Sequence, residues 1–279
     1  MSSEWTADRI VEQTIRIMSQ GVTAMQRLTD AYFAKRTQEA DVNWVTIQMA
    51  REYGAMSFYG DLARLAIRGG ISGRDADEFT HIIKEEVDHY RSYQILLDLT
   101  IGKDTPIPDD DCFHYLNIRF TPDGVAFFPG SEEVVARKWP EHHRFISLWM
   151  DNYNNLPSWS SKLLMTQGEG GSCGWHWCLA NAPQTDDFLK GTAKLEKVVV
   201  EDELQHGPDE IRRLAEAYDP ANAIPMEAMF EIAREMRYLD IRERNEQFLY
   251  PLSEAELEEI RGLIYSDTLE PATIYDAVA

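Results

Sequence analysis

Cysteine is scarce in this chain. The three thiols in 279 residues, Cys112, Cys173 and Cys178, make neither a disulfide framework nor a zinc-ligand spacing. They read as reduced thiols of a cytoplasmic protein. Long apolar runs are missing too, so no membrane span is expected. The opening Met1-Ser2-Ser3-Glu4-Trp5 lacks the basic and apolar regions of a signal peptide. Positive charge is in deficit: 27 Lys and Arg stand against 48 Asp and Glu, a net charge of −21. That balance argues against nucleic acid or an anionic membrane as a partner. No flavin or iron–sulfur motif is visible, so any redox chemistry would draw its electrons from a reductase, a ferredoxin or the substrate itself. What the chain does hold is 44% hydrophobic residues, enough for a buried core.

Against that background one pattern stands out. Glu86-x-x-His89 and Glu203-x-x-His206 are two Glu-x-x-His pairs, and each follows a lone glutamate at the same distance. Glu52 lies 34 residues before Glu86, and Glu169 lies 34 residues before Glu203. Residues three apart share a helix face, so each pair can grip one ion together. A step of that length covers an antiparallel helix pair and returns the chain to the same depth in a bundle.

The flanking residues have helical period. Glu52 interrupts the stripe of Val45, Met49, Met56, Tyr59 and Ala63; Glu86 and His89 fall among Ile82, Tyr93 and Leu96. Glu169 sits among Trp159, Leu163, Thr166, Cys173, His176 and Ala180, and Glu203 and His206 follow Leu195 and Val199. Four glutamates buried together demand compensation, because an unpaired buried carboxylate costs several kcal/mol. Two divalent ions balance the four charges, with both histidines neutral. Carboxylate oxygens with one imidazole per ion suit iron or manganese better than zinc.

Seven histidines in so glutamate-rich a chain should give about one Glu-x-x-His by chance, and the chain has three. The third, Glu78 to His81, has no glutamate at the matched distance and reads as a helix-end pair. An acid precedes each matched motif, Glu85 and Asp202. Metal-bound histidines commonly donate their second N–H to a carboxylate, which makes these two acids candidates for that role. Solvated charge on the helix flank is the alternative reading.

At these residues the chain resembles the ferritin-like non-haem di-iron carboxylate superfamily. The resemblance covers roughly residues 42–101 and 157–217, and its oxygenase branch, including bacterial multicomponent monooxygenase hydroxylases and phenylacetyl-CoA epoxidase-type proteins, is the nearest in pattern. It implies a four-helix core with Glu52, Glu86, His89, Glu169, Glu203 and His206 as metal ligands. It implies two iron ions, or manganese or a mixed pair, and an oxidoreductase that uses O2 on a small organic substrate. Alternatives are a ferroxidase or other iron-handling relative, and a di-manganese or Mn/Fe protein. An insertion of about fifty residues between the halves and about sixty after the last core helix depart from compact storage proteins. In hydroxylases of this type the position of Cys173 lines the oxygen pocket and is often threonine, so Glu169 and Cys173 are the candidate catalytic residues. Cys173 as a small core residue is the competing reading.

Gly168, Gly170, Gly171 and Gly174 crowd the third ligand helix. Glycine there costs about 0.5–1 kcal/mol per position relative to alanine. The pattern points to close backbone approach, or to a π-bulge. His176 reads as an extra ligand, a substrate contact or, first among these, a satisfied core histidine. Tyr53, Tyr59, Tyr90, Tyr93, Trp175 and Trp177 read mainly as core.

The expected architecture is therefore all-α: a single ferritin-like domain over 1–279, with an extra N-terminal helix over 6–37 and a long crossover over 102–156. A short β-hairpin is expected across Thr121-Pro122-Asp123-Gly124, a break near Pro157, and another at Gly207-Pro208. Helices over 226–248 and 253–266 either cover the pocket or form a homodimer interface.

Overall fold

In a computed structural model of the chain, 79% of the described residues are helical and strand is minor, so the all-α class expected from the patterning is observed. The structure describes residues 5–69, 73–102, 109–206 and 208–275. The side chains of 73–76, 78, 169, 170, 172, 205, 206, 208 and 209 lie outside that description.

Ten α-helices occur among the described residues: α1 Ala7–Lys35, α2 Gln38–Gly69, α3 Gly73–Ile101, α4 Ser131–Lys138, α5 Pro140–Asn155, α6 Ser158–Ala180, α7 Asp187–His206, α8 Pro208–Glu216, α9 Met226–Gln247 and α10 Glu254–Tyr265. Two strands, β1 Ile118–Thr121 and β2 Gly124–Phe127, form an antiparallel hairpin. The chain divides into two units: 36–144 with 246–249, and 1–35 with 145–245 and 250–279.

The first of these is built on the α2–α3 hairpin, whose helices pack along one another. Behind α2 a core forms from Ile47, Ala50, Cys112, Tyr115, Val135 and Trp139. The β-hairpin lies where the turn signal put it, with Ile118 opposite Phe127 and Thr121 opposite Gly124. Gly124 takes a φ of 131°, a conformation open to glycine, and the Thr121 hydroxyl donates to its carbonyl at 3.1 Å. Helix α4 was not anticipated within the proline-punctuated crossover. Its signal was present in charge: Glu132 and Glu133 in the first turn, Arg137 and Lys138 in the last, each matched to the helix dipole.

The second unit is built on α1, α6, α7 and α8. Helix α1, read from sequence as an addition outside the core four, packs directly on α6 and buries Ile10, Ile17, Met18, Val22, Met25 and Leu28. Helix α6 remains α-helical through its glycines, with no π-bulge. Close approach is the use of two of them: a Cβ at Gly174 would lie 2.7 Å from Val22 Cγ2, and one at Gly171 would fall within the Arg237 guanidinium. Helix α9 reads as charged, yet Arg237, Asp240, Glu243 and Arg244 are buried. Its charges answer one another, Arg237 at 3.6 Å and Arg244 at 3.4 Å from Asp240, and Arg244 lies over the Trp175 ring. A Ser253–Glu256 capping box starts α10.

Candidate metal centre

Glu52 comes from the middle of α2, and Glu86 and His89 from one turn of α3. The same stripes that pack α2 on α3 carry these groups inward: Val45 and Met49 precede Glu52, and Tyr93 and Leu96 follow His89, all buried. Trp44 meets the edge of Tyr93 with ring centroids 6.4 Å apart. Glu52, Glu86 and His89 are 8, 7 and 4% exposed, so the polar groups are set within the core rather than on its rim.

The three offer one donor atom each within 4.8 Å of one another. His89 Nδ1 is 3.7 Å from Glu52 Oε2, too long for a hydrogen bond. Two donors on one ion, each about 2.0–2.2 Å from it, stand up to ~4 Å apart. The trio thus needs only a slight contraction to share an ion. The donor set fits a divalent cation on charge as well. A protonated His89 would offset one of the two carboxylates, whereas a dication offsets both and leaves the imidazole neutral as a ligand must be. Oxygen donors with one imidazole fit iron or manganese.

The packing around Glu52 is close. Two residues on, a Cβ at Gly54 would meet the Leu116 carbonyl oxygen at 2.5 Å and Leu116 Cβ at 2.8 Å. Glycine at 54 therefore lets the segment ahead of β1 press on α2. Tyr53 and Tyr90 flank Glu52 and His89 in sequence, with ring centroids 6.5 Å apart, and Tyr53 also meets the edge of Phe113 at 5.0 Å. Tyr93 and Trp175 are core as expected, but Tyr53 is 52% exposed. Burial raises the Tyr90 phenol above its ordinary value.

Of the acids placed beside the motifs, Glu85 has its Oε1 3.1 Å from His81 Nε2, one turn back on α3. The imidazole it faces is thus that of the third Glu-x-x-His, whose Glu78 side chain lies outside the described residues. Asp202 is half-buried on α7, next to the half-buried Glu203.

The second matched set rides on α6 and α7, which pack together in the other unit. Glu169 and His206 belong to these helices, and their side chains lie outside the described residues. Cys173 is fully buried and forms no disulfide. His176 is a satisfied core histidine: its Nδ1 is 2.6 Å from Oε2 of Glu196, which is wholly buried on α7. Sequence reading passed over Glu196 and took Leu195 as the inward residue. The buried face of α7 is instead Thr192, Glu196 and Val199, spaced four and three apart.

No protein-family model matches the chain, and no curated protein or solved structure is significantly similar to it.

Proposed function

We propose that this chain is a ferritin-like dimetal carboxylate protein that uses O2 to oxidise a small organic substrate. The observation that carries the reading is the buried trio of Glu52, Glu86 and His89, two acids and an imidazole within reach of one ion. Its partner set, Glu169, Glu203 and His206, is supported by the repeated sequence spacing.

The chemistry that two iron ions supply in such a ligand set is activation of dioxygen. The residues of the chain have simpler tasks. Glu52 and Glu86 supply negative charge in a largely buried site, where each electrostatic interaction is strengthened. Glu86 and His89, one turn apart on α3, fix the bite of the pair. His89 presents a neutral nitrogen, which keeps net charge low. Manganese, alone or with iron, suits the same donors. Electrons would come from an external reductase or ferredoxin, or from the substrate.

Anaerobic titration of the metal-free protein with Fe(II), followed by O2 uptake with and without candidate substrates, tests the reading. Two irons per chain, with uptake coupled to substrate loss, is the expected result. Iron taken up well beyond two per chain would favour an iron-handling protein. Absence of Fe(II) and Mn(II) binding would overturn the proposal.

A further inference from the structure

A cavity of about 480 Å³ opens between the last turns of α2 and strand β1 with its turn. Three arginines line it, Arg64 and Arg68 from α2 and Arg119 from β1. In a chain with 27 basic and 48 acidic side chains, three guanidiniums on one cavity are a local reversal of sign. The one acid in the wall, Asp61, is engaged: it is buried, accepts the Phe120 N–H at 3.1 Å and also contacts the Arg64 guanidinium.

The wall is built rather than loose. Phe120 packs edge-on against Phe58, centroids 4.7 Å apart, and the Asp61 bond ties β1 to α2. Arg119 lies over the Phe128 ring at 5.5 Å, which orients its head. Arginine from two separate elements suits a planar or tetrahedral oxyanion, which guanidinium binds through paired N–H groups. The cavity far exceeds the roughly 30 Å³ that a water molecule fills. Leu65, Phe120, Pro122 and the exposed Ile67 give the lining an apolar part beside Thr121.

We infer that this cavity is a binding site for an organic phosphate, its head on Arg68 and Arg119 and its apolar portion along Leu65, Ile67 and Phe120. The inference stands apart from the metal reading.

Isothermal titration of the full-length protein without added metal provides the test, with monomeric octyl phosphate and inorganic phosphate as probes. Octyl phosphate should bind, and inorganic phosphate at least about tenfold more weakly, since it lacks the apolar contacts. The R68A/R119A double variant should weaken octyl phosphate by about tenfold or more while its thermal midpoint stays unchanged, both arginines being surface residues. R137A, remote in sequence on α4, serves as control and should bind as the wild type does. Absence of octyl phosphate binding, or equal binding by R68A/R119A, would overturn the site. Equal affinity for inorganic phosphate would overturn its apolar half. Binding seen only with vesicles of anionic lipid, and not with monomeric octyl phosphate, would replace it with a membrane surface.

Discussion

His176 on α6 and Glu196 on α7 meet at 2.6 Å, both buried, in a contact that pins the two helices carrying Glu169 and Glu203. Breaking it should cost stability and leave the proposed metal ligands in place. Glu196→Ala is expected to destabilise the protein by about 1–3 kcal/mol, the cost of stranding a buried hydrogen-bonding group. Glu196→Gln, which keeps an acceptor, should cost less. Chemical denaturation checks the energies, and Fe(II) stoichiometry checks the role: loss of bound iron in Glu196→Gln would make Glu196 a ligand.

Substitution within the trio should act the other way. Glu86→Gln removes a buried charge, so the metal-free protein should gain on the order of 1 kcal/mol. The same variant, like His89→Ala, should lose most of the stabilisation that metal confers. That stabilisation is about 2.7 kcal/mol when free metal is a hundred times its Kd. Thermal melts with and without Mn(II) measure both effects. A Glu86→Gln protein that gains as much from metal as the wild type would remove Glu86 from the site.

Gly54→Ala is the smallest change that should disturb the centre without touching a ligand. The new methyl would press on the Leu116 carbonyl. Overpacking of this kind costs about 1–3 kcal/mol, and displacement of α2 should weaken metal binding through Glu52. Gly262→Ala, where an added Cβ meets nothing within 4 Å, is the matched control in a helix.

Burial pushes the thiols of Cys112 and Cys178 up to about 12, from an ordinary value of 9.0. The folded chain thus holds protons that the unfolded chain releases first. The resulting stability is fully present below pH 9 and is lost as pH rises from 9 towards 12. Alkaline denaturation curves should show a decline over that window, reduced in the Cys112→Ala, Cys178→Ala double variant once its own baseline is subtracted. Both thiols should resist iodoacetamide at pH 8 in the native protein and react in denaturant.

Leu249 sits at φ 58° just past α9, its N–H bonded to the Glu246 carbonyl at 3.0 Å, while the Tyr250 N–H reaches the Asn245 carbonyl at 2.7 Å. This is a Schellman ending with leucine where glycine is favoured. Leu249→Gly should stabilise by roughly 1 kcal/mol, because a left-handed conformation is costly for a side chain and Leu249 is 40% exposed. Thermal unfolding decides, and a lower midpoint would count against it.

Periodicity and punctuation carried most of the fold. Pro157 marks a boundary that the helices respect, with α5 ending at Asn155 and α6 starting at Ser158; the breaks expected at Gly70 and Gly207 lie outside the described residues. Proline acts locally, through φ and a missing N–H. The Glu52, Glu86 and His89 group was legible for the same reason: helical spacing places residues on a face whatever the tertiary detail. Partnership across helices was not legible. Nothing in the order of residues says that Glu196 answers His176. The burial of α9 was hidden because its composition is that of an exposed helix; Arg237 and Arg244 pair with Asp240 only once folded. Helix α4 was lost to the prolines around it, although its end charges announced it.

The Arg237 side chain passes Gly21, whose added Cβ would touch its Cδ at 3.0 Å, and ends over the backbone of α6 at Gly171. Three positions on three helices are thereby one inherited unit. A lineage that placed alanine at 171 would have to surrender the arginine, and one that lost the arginine would open a hole lined by two glycines and leave Asp240 with one basic neighbour fewer. Among relatives of this chain, residues 21, 171 and 237 should therefore change together or not at all, and that linkage would trace the descent of α6 more faithfully than the acid it carries.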